Sequence, residues 1–155
     1  MITVKFRNLE LLADKQLTKL TYDKELAGGA ESCGCNYCKN FANYRDKAYP
    51  EEIKQLFIEL GIDYKKESEI CHYYKQDNGQ HFYGGWFHFK GQVTGKEDDN
   101  TAESESVLDL MPITKDFSIG FRAGNALTFF EDKENLVQVE FNVTIPWTIS
   151  EELEG

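Results

Sequence analysis

Val137-Gln-Val-Glu-Phe-Asn-Val-Thr-Ile145 carries an apolar side chain at every second position: Val137, Val139, Phe141, Val143 and Ile145. Side chains alternate across a strand, so this stretch predicts a β-strand with one buried face. Pro146 has no N–H to offer a ladder and ends it. Immediately upstream, Phe117, Ile119 and Phe121 alternate with Ser118, Gly120 and Arg122, and Leu127 and Phe129 share one face of a further short run. Gly124-Asn125 and the stretch from Asp132 to Asn135 supply turn residues between these runs. The C-terminal third is therefore expected to be a three-strand meander.

The same alternation continues outward. Glu69 to Tyr74 and His81 to Val93 read as two strands joined at Gln76-Asp77-Asn78-Gly79, an Asn-Gly hairpin signal. Gly84-Gly85 inside the second strand predicts a bulge or a close backbone approach. Beyond it, Phe87, Phe89 and Val93 fall on one face, and Trp86, His88, Lys90 and Gln92 on the other. At the N-terminus, Ile2, Val4 and Phe6 alternate with Thr3, Lys5 and Arg7.

Between these β regions the period changes to that of a helix. Ile53, Leu56, Phe57 and Leu60 stand at i, i+3, i+4 and i+7, with Pro50 suited to the first turn and Gly61 to the end. Tyr37, Phe41, Tyr44 and Ala48 predict a preceding helix. Leu17 and Leu20 fit one face of a short early helix, and Ala27 to Ala30 reads as a loop. The fold expected is α+β: mainly antiparallel and sandwich-like, with an inserted helical hairpin after a cysteine-rich loop. One domain spans 1–155, with an acidic mobile loop over about 94–106 and a frayed tail at 151–155.

The chain has 155 residues, of which 41% are hydrophobic and 14% aromatic, enough to build a core. Its formal net charge of −10 opposes nucleic acid and anionic membrane surfaces, and no basic patch offsets it. The partners expected are therefore a protein or a small ligand. No stretch approaches the ~20 apolar residues of a membrane-spanning helix. The alternating N-terminus lacks the apolar run of a secretory signal. A cytoplasmic location is expected, with reduced cysteines.

Three of the four cysteines fall in the string Cys33-Gly-Cys-Asn-Tyr-Cys38. In a reducing compartment such clustering favours metal binding or redox chemistry over disulfides. The cluster precedes a predicted helix, whose first N–H groups stabilise thiolate charge. Zinc takes four ligands in a tetrahedron. Cys33, Cys35, Cys38 and Cys71 are the expected set, with His72, His81 and His88 as alternatives to Cys71. Cys71 and His72 are neighbours on a strand, so only one of them faces a given site. A redox role for Cys35-x-x-Cys38 and plain reduced thiols are the competing readings.

Tyr73, Tyr74, Phe82, Tyr83, Trp86, Phe87 and Phe89 form an aromatic run across the hairpin, read first as cross-strand packing. Trp86 and His88, opposite Phe87 and Phe89, are the candidate face for a sugar or peptide. No phosphate loop, nucleophile elbow, His-Glu-x-x-His or dinucleotide fingerprint is present, and no catalytic residue is singled out.

The string Ser32-Cys-Gly-Cys-Asn-Tyr-Cys-Lys-Asn-Phe41, with Pro50-Glu-Glu, Leu60-Gly-Ile-Asp63, Gly84-Gly-Trp-Phe-His-Phe89 and Pro146-Trp147, resembles a family of small uncharacterised bacterial proteins. The resemblance implies a bacterial cytosolic origin and carries over no activity. Together these readings lead to a non-enzymatic binding or interaction module with a structural zinc–thiolate site. The alternatives are a metal- or thiol-dependent enzyme and a carbohydrate- or peptide-binding sandwich.

Overall fold

The strand read at 137–145 is β7 (Leu136–Ile145), an inner strand of a seven-stranded antiparallel sheet. In chain order the other strands are β1 (Ile2–Phe6), β2 (Leu9–Ala13), β3 (Glu69–Lys75), β4 (His81–Thr94), β5 (Met111–Thr114) and β6 (Phe117–Ala123). The helices are α1 (Lys15–Asp23), α2 (Gly29–Cys33), α3 (Asn36–Ala48) and α4 (Glu51–Leu60). This computed structural model describes residues 1–95 and 110–150. Nearly all of the expected acidic loop, and the whole tail at 151–155, lie outside the described residues.

The strand order is β1-β2-β4-β7-β6-β5, with β3 also paired to β4. Tyr83, Phe87 and Phe89 of β4 stand opposite Val143, Val139 and Val137 of β7, and Phe141 of β7 lies beside Ile119 of β6. These residues form one apolar face and are buried. Phe41 of α3 stacks on Phe141, and Phe57 of α4 meets Phe87 edge-on at 4.9 Å. The four apolar positions read in α4 are all buried, and Gly61 caps the helix in the left-handed conformation.

The sheet curls. In the strand order β1 and β6 are four places apart, about 19 Å across a flat sheet at roughly 4.8 Å per strand. Yet the rings of Phe6 and Phe121 meet at 5.8 Å. Gly91 marks the turning point, where β4 exchanges pairing with β7 for pairing with β2. Its φ is 152°, and a Cβ there would lie 1.7 Å from the Leu12 carbonyl oxygen, so only glycine fits.

One edge of β4 is shared. β3 covers residues 81–86 and β2 covers 91–94, which leaves 87–90 without a strand neighbour. Two side chains of α1 and the backbone of its N-cap, Asp14, fill the gap. The Tyr22 hydroxyl donates to the His88 carbonyl and accepts from the His88 N–H, both at 2.9 Å. Thr18 Oγ accepts from the Lys90 N–H, and the Asp14 N–H donates to the Lys90 carbonyl. This accounts for the face that α1 buries. Thr18 and Tyr22 point inward, while Leu17 and Leu20, read as one face of a short helix, are 39% and 51% exposed. Backbone satisfaction outweighed hydrophobicity here, because an unpaired buried amide costs more than an exposed leucine.

Two other expectations change, and a third is narrowed to one of its alternatives. Residues 124–135 form a loop, with Leu127 at φ 54°, so the meander's middle strand does not form. β6 and β7 pair directly, and β5, unread in the sequence, pairs with β6 on its other side. Residues 29–33, expected within a loop, make the single turn of α2. The glycines of β4 mark close approach without a bulge: the register with β7 is unbroken from His81 to Lys90, and a Cβ on Gly85 would lie 2.4 Å from the Glu69 carbonyl oxygen.

Tyr22→Phe is expected to destabilise the protein by about 2–4 kcal/mol, because it leaves a buried N–H and a buried C=O unpaired. Urea unfolding measures this. A loss below about 0.5 kcal/mol would mean that the hydroxyl is not capping the strand.

Candidate metal centre

The cysteine cluster is built at the joint between α2 and α3. α2 ends at Gly34, whose φ of 73° turns the chain back on itself between Cys33 and Cys35. Cys35 is then the N-cap of α3: its Sγ accepts the Cys38 N–H at 3.4 Å. Cys38 lies one turn into the helix and is buried. The three Sγ atoms all lie within 4.8 Å of one another, and those of Cys33 and Cys35 are 3.3 Å apart. Four-coordinate zinc with Zn–S bonds of about 2.3 Å needs sulfurs about 3.8 Å apart. The cluster is therefore close to a metal-binding geometry. No disulfide joins any of the four cysteines.

The three thiols differ electrostatically. The Cys35 N–H aimed at the Cys33 sulfur, with hydrogen bonds to the neighbouring thiols, lowers the pKa of exposed Cys33. Burial, with the other two sulfurs beside it, pushes Cys38 up.

Two anchors hold the joint in place. Asn40 donates to the Pro146 carbonyl at 3.1 Å and accepts from the Thr148 N–H at 2.6 Å, tying α3 to the segment after β7. The Tyr83 hydroxyl donates to the Tyr37 carbonyl at 2.7 Å. Phe41 enters the core. The Asn-Phe pair that follows the cysteines is thus the seating of α3 on the sheet. On the other side, Arg45 of α3 makes a two-pronged bond to Glu31 of α2 at 2.7 and 2.8 Å and reaches Glu67 at 3.1 Å. Glu67 is fully buried. Burial raises its pKa, opposed by Arg45 and by the Ala30 N–H. Neither the triad nor Asn40 was singled out from the sequence, because buried charge and buried amide look like surface residues until the tertiary partners are known.

The candidates for a fourth ligand separate by face. His72 pairs with Tyr83 and lies on the apolar face of the sheet, beside α3; Cys71 pairs with Gly84 and takes the other side. Among the described residues the clustered group contains Cys33, Cys35 and Cys38, and neither Cys71 nor a histidine joins it. His72 and His81 bond to each other at 2.8 Å, and Tyr37 stacks on His72 at 3.9 Å. Burial lowers the pKa of both imidazoles, with the charge of His81 adding to it at His72 and that of Lys75 at His81. His88 is held between Ser68 and Gln138 at 3.1 Å each. It is 1% exposed, and burial pushes its pKa down to about 4.

The candidate ligand face divides as well. Trp86 is half-buried and its indole N–H donates to the Ala126 carbonyl, while His88 is covered. The exposed rings on that side are Tyr73 and Tyr74, at 52% and 53%. They stand together because the register of β3 shifts between His72 and Tyr74, which turns two consecutive residues to one face.

A cleft of about 380 Å3 adjoins the cluster, lined by Cys33 together with Glu25, Ser32, Ser68, Glu69 and Phe129. Comparison with known protein families, curated proteins and solved structures gives no match to this chain.

Arg45→Met is expected to cost about 3–5 kcal/mol, because it strands the Glu67 carboxylate in the interior. Arg45→Met combined with Glu67→Leu should recover most of that loss. Equal destabilisation of the single and double variants would rule out the charge as the cause. A second test uses pH. The unfolded chain protonates His88 near 6.5, the folded chain only near 4, so stability falls as pH drops through this window, by up to about 3 kcal/mol. His88→Gln should flatten the fall in urea midpoint between pH 7 and pH 4.5. An unchanged slope would exclude His88 as its source.

Proposed function

We propose that this protein is a non-enzymatic binding module in which Cys33, Cys35 and Cys38 hold one zinc ion that clips α2 to α3. The observation that supports it is the convergence of three sulfurs within 4.8 Å at a helix N-cap, with no disulfide between them. Cys33, Cys35 and Cys38 supply soft thiolate donors, which suit zinc better than calcium or magnesium. The ion joins two elements that Arg45 and Glu31 already bridge from the other end. Such a clip stabilises the folded chain by mass action, about 4 kcal/mol when free metal stands at 1,000 times its dissociation constant. With no fourth protein ligand in the cluster among the described residues, water or a partner's donor completes the tetrahedron.

A thiol-dependent enzyme is the second reading. It draws on exposed Cys33, whose lowered pKa favours the nucleophilic thiolate, and on the 3.3 Å separation from Cys35.

Elemental mass spectrometry on protein purified without chelator or metal affinity resin separates the two. The binding module predicts about one zinc per chain, and Cys35→Ser loses both the metal and the thermal stability that it confers. Metal-free protein whose Cys33 is rapidly alkylated at neutral pH, with unchanged stability in Cys35→Ser, would replace the zinc reading by the thiol reading.

A further inference from the structure

We propose that the three-cysteine cluster also captures trivalent arsenic, taken up as arsenous acid and held as a three-coordinate tris-thiolate. The proposal rests on the reading that the three sulfurs chelate a single centre, and it names the kind of centre that three sulfurs alone complete.

The argument begins with ligand number. A divalent ion here needs a fourth donor, and the fold directs the candidates elsewhere. Cys71 pairs with Gly84 on the opposite face of the sheet, His72 and His81 are bonded to each other, and His88 is enclosed between Ser68 and Gln138. Trivalent arsenic forms three bonds and fills its fourth direction with a lone pair. A pyramid of three sulfurs is its whole requirement.

The shape of the cluster agrees. Cys33 precedes the left-handed turn at Gly34, Cys35 caps α3 and Cys38 follows one turn later, so the three sulfurs approach one point from three backbone directions. Charge points the same way. Zinc with three thiolates carries −1 and monovalent copper −2, whereas arsenic with three thiolates is neutral. The chain carries −10 overall, and the cleft beside Cys33 is lined by Glu25 and Glu69. A neutral adduct avoids repulsion from these carboxylates. Arsenous acid is itself uncharged at neutral pH, so the acidic cleft does not repel it as it would arsenate or phosphate. Exposed Cys33 is the point of first contact.

The reaction balances without an outside oxidant or reductant. Three S–H bonds and three As–O bonds break, three As–S bonds form, and the three thiol protons leave with the three hydroxyls as water. Arsenic stays trivalent, and each sulfur passes from thiol to arsenic-bound thiolate without change of oxidation state.

The test is titration of the reduced full-length protein with arsenite, in metal-free and zinc-loaded forms. Intact mass spectrometry should show a gain of one arsenic less three hydrogens. Alkylation should then label Cys71 and spare the other three of the four cysteines. X-ray absorption at the arsenic edge should give a shell of three sulfurs and no oxygen. Cys33→Ser, which alters an exposed side chain, should weaken binding by at least about tenfold through the lost chelate arm, and Cys71→Ser by less than about twofold. Circular dichroism confirms that both variants fold, and the absorption shell on the parent protein is free of any folding effect.

An oxygen in the first shell, or undiminished binding by Cys33→Ser, would overturn the proposal. Zinc bound without arsenic would overturn it and leave the zinc site standing. Arsenic bound without zinc would support it and remove the zinc reading. Failure of both would show that the three sulfurs do not chelate one centre at all.

Discussion

A long strand must have its backbone hydrogen bonds met along both edges, and β4 carries that constraint for the whole protein. One edge runs unbroken along β7 from His81 to Lys90. The other is divided between β3 and β2, with four residues left between them. The Tyr22 hydroxyl, Thr18 Oγ and the Asp14 N–H close the gap. This fixes where α1 lies and which of its residues face inward. It also lets β2 and β1 continue from the far end of β4, past the bend at Gly91, until Phe6 reaches Phe121. The helices then cover the apolar face that the curled sheet presents.

That arrangement positions the cysteines. The turn at Gly34 and the cap at Cys35 are local geometry, but α3 takes its direction from Tyr83 and from the segment after β7, through Asn40. α2 takes its own from the Arg45–Glu31–Glu67 triad. A buried ion pair contributes little net stability, yet losing one partner is expensive, so the triad acts as a register device. It allows few alternative placements of α2 against α3. The sulfurs therefore meet in a frame set by the sheet, and a bound centre adds to a geometry already in place.

The histidines show how burial changes a residue's meaning. On the strand pattern His88 belongs to the outward set, but Ser68 and Gln138 enclose its ring, and the loop over 124–135 is bonded to Gln138 through the Ala126 N–H. Enclosed there, it remains neutral and exchanges hydrogen bonds with Ser68 and Gln138. His72 and His81 satisfy each other beneath Tyr37 and Trp147. Each imidazole finds a polar partner where the fold withdraws it, wholly or in part, from water.

Periodicity by itself determined a good deal of this protein. The alternation in β4, β6 and β7, the four apolar positions of α4 with its capping Gly61, and the α+β class follow from local rules of side-chain spacing. The spacing of Cys33, Cys35 and Cys38 about a helix start is local as well, and the frame that holds α2 against α3 completes the meeting of their sulfurs. Tertiary structure alone decided the rest. The absent middle strand around Leu127 and Phe129, the inward face of α1 and the choice of His72 rather than Cys71 for the side facing α3 depended on long-range pairing. So did the buried roles of Asn40, Arg45, Glu67 and His88. The physical reason is common to all of them: a polar group's place is set by the partner that satisfies it, and here each partner comes from a distant part of the chain.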